Sequence, residues 1–277
     1  MRYVSFRYQD ATGVGVLEED QVVPLAGISQ IGPSVGLDEL RAAPRQARQA
    51  MPLDAVTLLP ASPRPRRILC VGLNYRGHVS ESRRDVPEYP VLFPKFASNL
   101  VGPRDPIVLP PESSQPDFEG ELAVVVGRPG RRIAAGDAMD HVLGYTVAND
   151  VTMRDFQYKT HQWLQGKAWD ATTPLGPAIV TPDECDVTAA AIRTTLNGDV
   201  MQEAAIADLM FDIPRLIADI SVFTTLEPGD VVLTGTPAGV GYRRDPQVFL
   251  RPGDVVSVEV DGVGRIDNDV VAEHGGT

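Results

Sequence analysis

A chain of 277 residues is long enough for one large core or for a small unit beside a larger one, and 43% hydrophobic with 22% charged residues is a globular composition. The formal charge of −12 opposes binding to nucleic acid or anionic lipid, whose phosphates such a field repels. The start MRYVSFRYQD lacks the apolar run of a secretory signal and no stretch approaches a membrane span, so a cytoplasmic protein without membrane partners is expected.

In chain order, RYVSFRY, VGVLEE and QVVPL read as short strands, and DELRAAPRQARQAM as helix-like but interrupted by Pro44. Three prolines between Pro60 and Pro65 make a stiff connection, predicting a small α+β domain over 1–65 and a larger one over 66–277. Strand patterns follow at RRILCVG, PIVLP, GELAVVVG, HVLGYTVAN, GPAIVT, IRTTLNG, GDVVLTG and GDVVSVEV, each bounded by Gly, Pro, Asn or Asp. Helices are predicted over 151–165 (VTMRDFQYKTHQWLQ) and from Pro214, a proline suited to a first helical turn. LEPGDVV and LRPGDVV each read as a Pro-Gly turn feeding a strand. A β-rich α+β fold results, its loops converging on one site.

Two cysteines, Cys70 and Cys185, form neither a CxxC motif nor a disulfide framework, which leaves oxygen and a few histidines as ligands for any metal. In PDFEGELAVVVG, Glu119 and Glu121 are two apart in a strand and share a face, with Asp117 on the same face. Asp150 ends the apolar strand VLGYTVAN. Carboxylates gathered so closely repel unless a hard divalent cation lies among them. Spacing alone leaves another reading open, an exposed edge strand with Asp150 capping a helix from Val151. The apolar run Leu122–Val126 argues for burial instead.

His78 and Glu81 share a face if their segment is a helical turn, a pairing that suits a general base; His141 and His161 read as structural. Lys167, set before Trp169 against a partly apolar wall, suits a substrate carboxylate or an oxyanion, and Thr236 in GTPAGVG can face an anion. Each of these has an ordinary structural explanation when taken singly.

Taken in order, GLNYRGHVSE, VLFPKF, DFEGELAVVVG, GYTVANDVTMRDFQ, GKAWDATTPLGP, LNGDVMQ and LEPGDVVLTGTPAGVG resemble the fumarylacetoacetate hydrolase family from about Ile68 to the C-terminus. The resemblance implies a mixed β-sheet roll with a small N-terminal domain, usually a homodimer. It implies Glu119, Glu121 and Asp150 as ligands of Mg²⁺ or Mn²⁺, with Ca²⁺ as a further choice. His78 and Glu81 become the water-activating dyad, Lys167 a substrate contact, and Arg154, Asp155, Gln157 and Thr236 further substrate-binding residues. Two stretches depart from common family patterns, Lys167-Ala168-Trp169-Asp170-Ala171-Thr172 and Lys95-Phe96-Ala97-Ser98, both near the expected pocket. The activity expected from the resemblance is metal-dependent hydrolysis of a C–C bond in an acylpyruvate-like substrate through a metal-bound enolate. Because the same enolate serves related reactions, decarboxylation of oxaloacetate and isomerisation or hydration of an unsaturated 2-oxo diacid stay open. A metal-binding protein without turnover is the remote alternative.

Overall fold

The computed structural model describes residues 1–77 and 87–273, most of them arranged in mixed β-sheets. The largest sheet runs in spatial order through Met51–Pro52, Gln21–Pro24, Ala11–Glu18, Arg2–Tyr8, Thr173–Val180, Val142–Asn149, Gly120–Val126, Val231–Leu233, Ile68–Gly72 and Val91–Lys95. A five-stranded sheet orders Asp199–Ala205, Ala191–Leu196, Val255–Val260, Gly264–Ala272 and Ile107–Leu109. The β-rich α+β fold expected from the sequence, with its small N-terminal domain, is therefore present. The N-terminal strands continue the large sheet: Arg2 and Tyr3 pair with Val180 and Ile179.

The strand Gly120–Val126 is buried at every position because it serves two cores. Leu122, Val124 and Val126 point into one, with Ile192, Val258 and Val260 of the five-stranded sheet and with helix Ile213–Phe223. Ala123 and Val125 point into the other, with Tyr3, Val14, Leu175 and Leu233. Gly120 shows how closely the sheets approach: a Cβ there would meet Thr194 Oγ1 at 2.1 Å and Val258 Cγ1 at 2.9 Å. Close packing therefore dictates the glycine between the two glutamates.

Helix Ile213–Phe223 starts as expected, with Pro214 in its first turn and the Asp212 carboxylate accepting the Arg215 N–H at 2.9 Å. Its buried face is Leu216, Ile217 and Ile220, each contributing roughly 1.5–3 kcal/mol through burial. The helix expected over 151–165 is not continuous. Thr152–Met153 pairs with Pro116–Asp117, and two short helices follow, Arg154–Gln157 and Leu164–Lys167. A straight helix would separate residues 157 and 166 by roughly 13 Å. Instead the chain folds back, and a Cβ on Gly166 would lie 2.6 Å from Gln157 Cα. The helix-like stretch after Gly36 is likewise shorter than its pattern, ending at Ala42 before Pro44 and resuming only as a 3₁₀ turn at Ala47–Gln49.

Candidate active site

The carboxylates are brought together by strand register. Glu121 pairs with Ala148 and Gly120 with Asn149, and one step further the Asp150 N–H donates to the Glu119 carbonyl at 2.8 Å. Residues facing each other across an antiparallel pair present their side chains on one side, and so do residues two apart. Glu119, Glu121 and Asp150 consequently converge, with ligand oxygens all within 4.8 Å of one another. Glu119 precedes the strand instead of lying within it, and the Asn149 side chain holds its N–H at 2.9 Å.

Asp117 departs from the expected common face. Its carboxylate accepts N–H bonds from Gly241 at 2.7 Å and Tyr242 at 2.9 Å, and the Nε–H of Arg154 at 2.8 Å. It anchors a turn and an arginine, standing apart from the triad. Nor does Asp150 cap a helix, since its oxygens take two buried ammonium groups. Lys95 Nζ lies 2.6 Å from Oδ1 and Lys167 Nζ 2.7 Å from Oδ2. Lys167 also reaches Glu119 Oε2 at 2.7 Å, and Arg154 Nη2 lies 2.7 Å from Glu119 Oε1.

Charge fixes the protonation of these groups. Desolvation alone would lower the pKa of Lys167, but Asp150 and then Glu119 raise it above the usual lysine value, so the ammonium is a fixed cation and no base. Arg154 is held protonated in the same way, by Asp117 and Glu119 against its own desolvation. The Glu121 carboxyl is pushed well above the usual carboxylate range by burial first, then by Asp150 and Glu119. Glu121 also accepts the Gly235 N–H at 2.7 Å. Three buried carboxylates, with oxygen as the sole donor atom and one of them reluctant to ionise beside the others, fit a hard divalent cation.

Glu119, Arg154, Gln157, Lys167 and Thr236 line one cavity, so five of the ten site residues singled out in the sequence meet there. The apolar wall beside Lys167 is Phe93, whose ring centroid lies 4.9 Å from Nζ; Trp169 packs edge-on against Phe156. Thr236 Oγ1 donates to the Gly120 carbonyl at 2.9 Å and accepts from Gln202 at 2.8 Å. Asp155 stands outside the cavity lining, its carboxylate accepting from the Ser113 hydroxyl at 2.6 Å and the Ser114 N–H at 3.0 Å. His78 and Glu81 lie outside the described residues. Sequence reasoning missed Lys95 as a site residue. Its signal was a lone charge at the end of VLFPK, an otherwise apolar strand, and its ammonium also reaches the carbonyls of Lys167 and Val151.

A mixed β-sheet fold with a buried carboxylate triad, paired with the ammonium groups of Lys95 and Lys167 and with Glu119 and Lys167 lining a cavity, has the donor set of a divalent-metal site. The family model "Fumarylacetoacetate (FAA) hydrolase C-terminal" matches residues 67–271, and "Rv2993c-like, N-terminal" matches residues 1–60. The chain belongs to the fumarylacetoacetate hydrolase family. It is 50% identical over 219 residues to the oxaloacetate tautomerase fahd2, mitochondrial, of Xenopus laevis, covering 78% of this chain and 69% of the relative. To the human oxaloacetate tautomerase FAHD2A, mitochondrial, it is 48% identical over 224 residues, covering 80% and 71%. The crystal structure of 5-carboxymethyl-2-hydroxymuconate delta-isomerase from Mycobacterium smegmatis superposes with a TM-score of 0.85 at 36% identity, covering 99% of this chain and 100% of that one. These relatives favour isomerisation over the C–C hydrolysis that the family resemblance first suggested.

Proposed function

We propose that this protein is a divalent-metal-dependent tautomerase of a small 2-oxo diacid of the oxaloacetate type, interconverting its enol and keto forms. Carrying this reading is the convergence of the buried Glu119, Glu121 and Asp150, with the Lys167 ammonium bridging Glu119 and Asp150 and lining the cavity beside Glu119, in a chain whose relatives are named tautomerase and isomerase. Mg²⁺ or Mn²⁺ held by the three carboxylates would supply Lewis-acid polarisation of the substrate's carboxylate and keto oxygens.

The chain's own groups account for the rest. Lys167, kept protonated by Asp150 and Glu119, provides a fixed positive charge for an oxygen that gains negative charge as the adjacent carbon loses its proton. Arg154 is immobilised through Asp117, Glu119 and Gln157, the last at 3.0 Å, so the cavity wall needs no reorganisation during reaction. In this reading His78, the base that the family resemblance pairs with Glu81, carries the proton between the carbon and solvent. The enol oxygen gives up its proton to solvent while carbon takes one from His78, so the net change is an isomerisation with no bond to water formed.

Enol-rich oxaloacetate mixed with the Mg²⁺-loaded protein should lose its enol absorbance faster than in buffer. Absence of acceleration, with cleavage of an acylpyruvate under the same conditions, would overturn tautomerisation in favour of hydrolysis. Homodimeric assembly is proposed on the family resemblance alone, and a monomeric mass in light scattering would contradict it.

A further inference from the structure

We propose that Arg243 is the specificity residue of this site, recognising the distal carboxylate of a 2-oxo diacid; the inference rests on the tautomerase reading and deepens it. Among the described residues three cations line the cavity, Arg154, Lys167 and Arg243. The first two are already matched. Arg154 has Nε on Asp117, Nη1 on Gln157 and Nη2 beside Glu119, and Lys167 bridges Glu119 and Asp150. Arg243 forms no ion pair among the described residues, and its guanidinium rests 5.3 Å from the Tyr242 ring centroid.

Charge accounting gives that arginine its role. The buried group sets four carboxylates, Asp117, Glu119, Glu121 and Asp150, against three cations, Lys95, Lys167 and Arg154. With a divalent cation bound the group carries one net positive charge, while a 2-oxo diacid brings two negative charges. One further cation at the cavity completes the balance, and Arg243 is the half-buried side chain placed to supply it. A planar guanidinium can take a carboxylate through two parallel hydrogen bonds.

Its placement is fixed from below. The turn Gly241–Arg243 hangs on Asp117, which accepts the N–H groups of Gly241 and Tyr242 and also holds Arg154. Gly241 fits only without a side chain, since a Cβ would meet the Val248 carbonyl oxygen at 1.8 Å. The next residue, Arg244, is committed elsewhere, donating to the backbone carbonyls of Gly239 and Met201. Adjacent arginines thus divide between a structural clamp and a cavity-lining cation.

The test compares two ligands that cannot enolise, dimethyloxaloacetate and trimethylpyruvate, which differ only in a distal carboxylate against a methyl group. Calorimetry with Mg²⁺-loaded protein should show that Arg243→Met weakens dimethyloxaloacetate by about 10- to 100-fold, the usual worth of a charged hydrogen-bonded contact. Trimethylpyruvate should bind both proteins equally, which also confirms an intact site, and Arg243→Lys should restore part of the loss. Equal weakening of both ligands, or of neither, overturns the proposal. Because the readout is binding, it still reports on Arg243 if the wild type proves not to tautomerise oxaloacetate, whereas failure of the enol assay bears on the proposed reaction.

Discussion

At the N-terminal end of the large sheet, Val4, Phe6 and Val22 pack on Ala178 in an apolar cluster, while further along the same sheet Glu119, Glu121, Asp150, Lys95 and Lys167 are buried together. The first region gains stability from area removed from water. The second desolvates several charges, and their mutual attraction offsets that cost only in part. A fold that keeps such a cluster buried keeps it for chemistry, because packed apolar residues of similar volume would be as stable or more so. Substitutions in the two regions should therefore separate activity from stability.

Glu121→Gln gives the largest effect. It removes one ligand but retains the shape and an acceptor for the Gly235 N–H, so turnover should fall to background while metal-free thermal stability holds or rises. A large drop in stability without loss of turnover would erase the contrast. Lys167→Met comes next. Losing a preorganised charge costs about 10²- to 10³-fold in kcat, and metal binding should persist by calorimetry. Retention of most of the wild-type kcat would remove Lys167 from the chemistry. Phe6→Ala tests the other region. A buried phenylalanine truncated to alanine costs about 3–5 kcal/mol, read by denaturant unfolding, with kcat per folded molecule unchanged. A fall in kcat would show that the two ends of the sheet are coupled.

How far the site could be read in advance follows from the range of the interactions. Glu119 and Glu121 were legible because strand periodicity is local, and the apolar run Leu122–Val126 signalled burial on both faces correctly. The Pro-Gly turns were equally local, with Gly229 and Gly253 at φ +83° and +96°, a conformation glycine adopts without strain. Lys95 was not legible as a partner of Asp150, since 55 positions separate them and only the sheet brings them together. Asp117 was misplaced because alternation was extended one residue pair too far, past the point where the chain leaves the strand to pair with Thr152. The segment 151–165 has helical spacing, yet pairing at Thr152 and the tight approach of Gly166 to Gln157 override it. The edge strand Val91–Lys95 carries Pro94, which a central strand would exclude, and Asp199–Ala205 is too polar and exposed to show an apolar face.

The smallest effect is graded with pH. Glu121 has its folded-state pKa raised, so without metal its burial favours folding while it is protonated, at pH below its unfolded pKa, and that contribution is lost as pH rises through the folded value. Metal must displace the same proton, so apparent Mg²⁺ affinity should climb with pH, by at most about tenfold per unit for one proton. Calorimetric titrations across that window should show the slope in the wild type and a flatter one in Glu121→Gln; equal slopes would detach Glu121 from the metal.

The most direct test of the central claim is the rate of enol-oxaloacetate decay in chelator-stripped protein as Mg²⁺ is added back. A rate that rises from the buffer value and saturates in the wild type, and stays flat in Glu121→Gln, is the predicted result. Full activity of the stripped protein in excess chelator would contradict it.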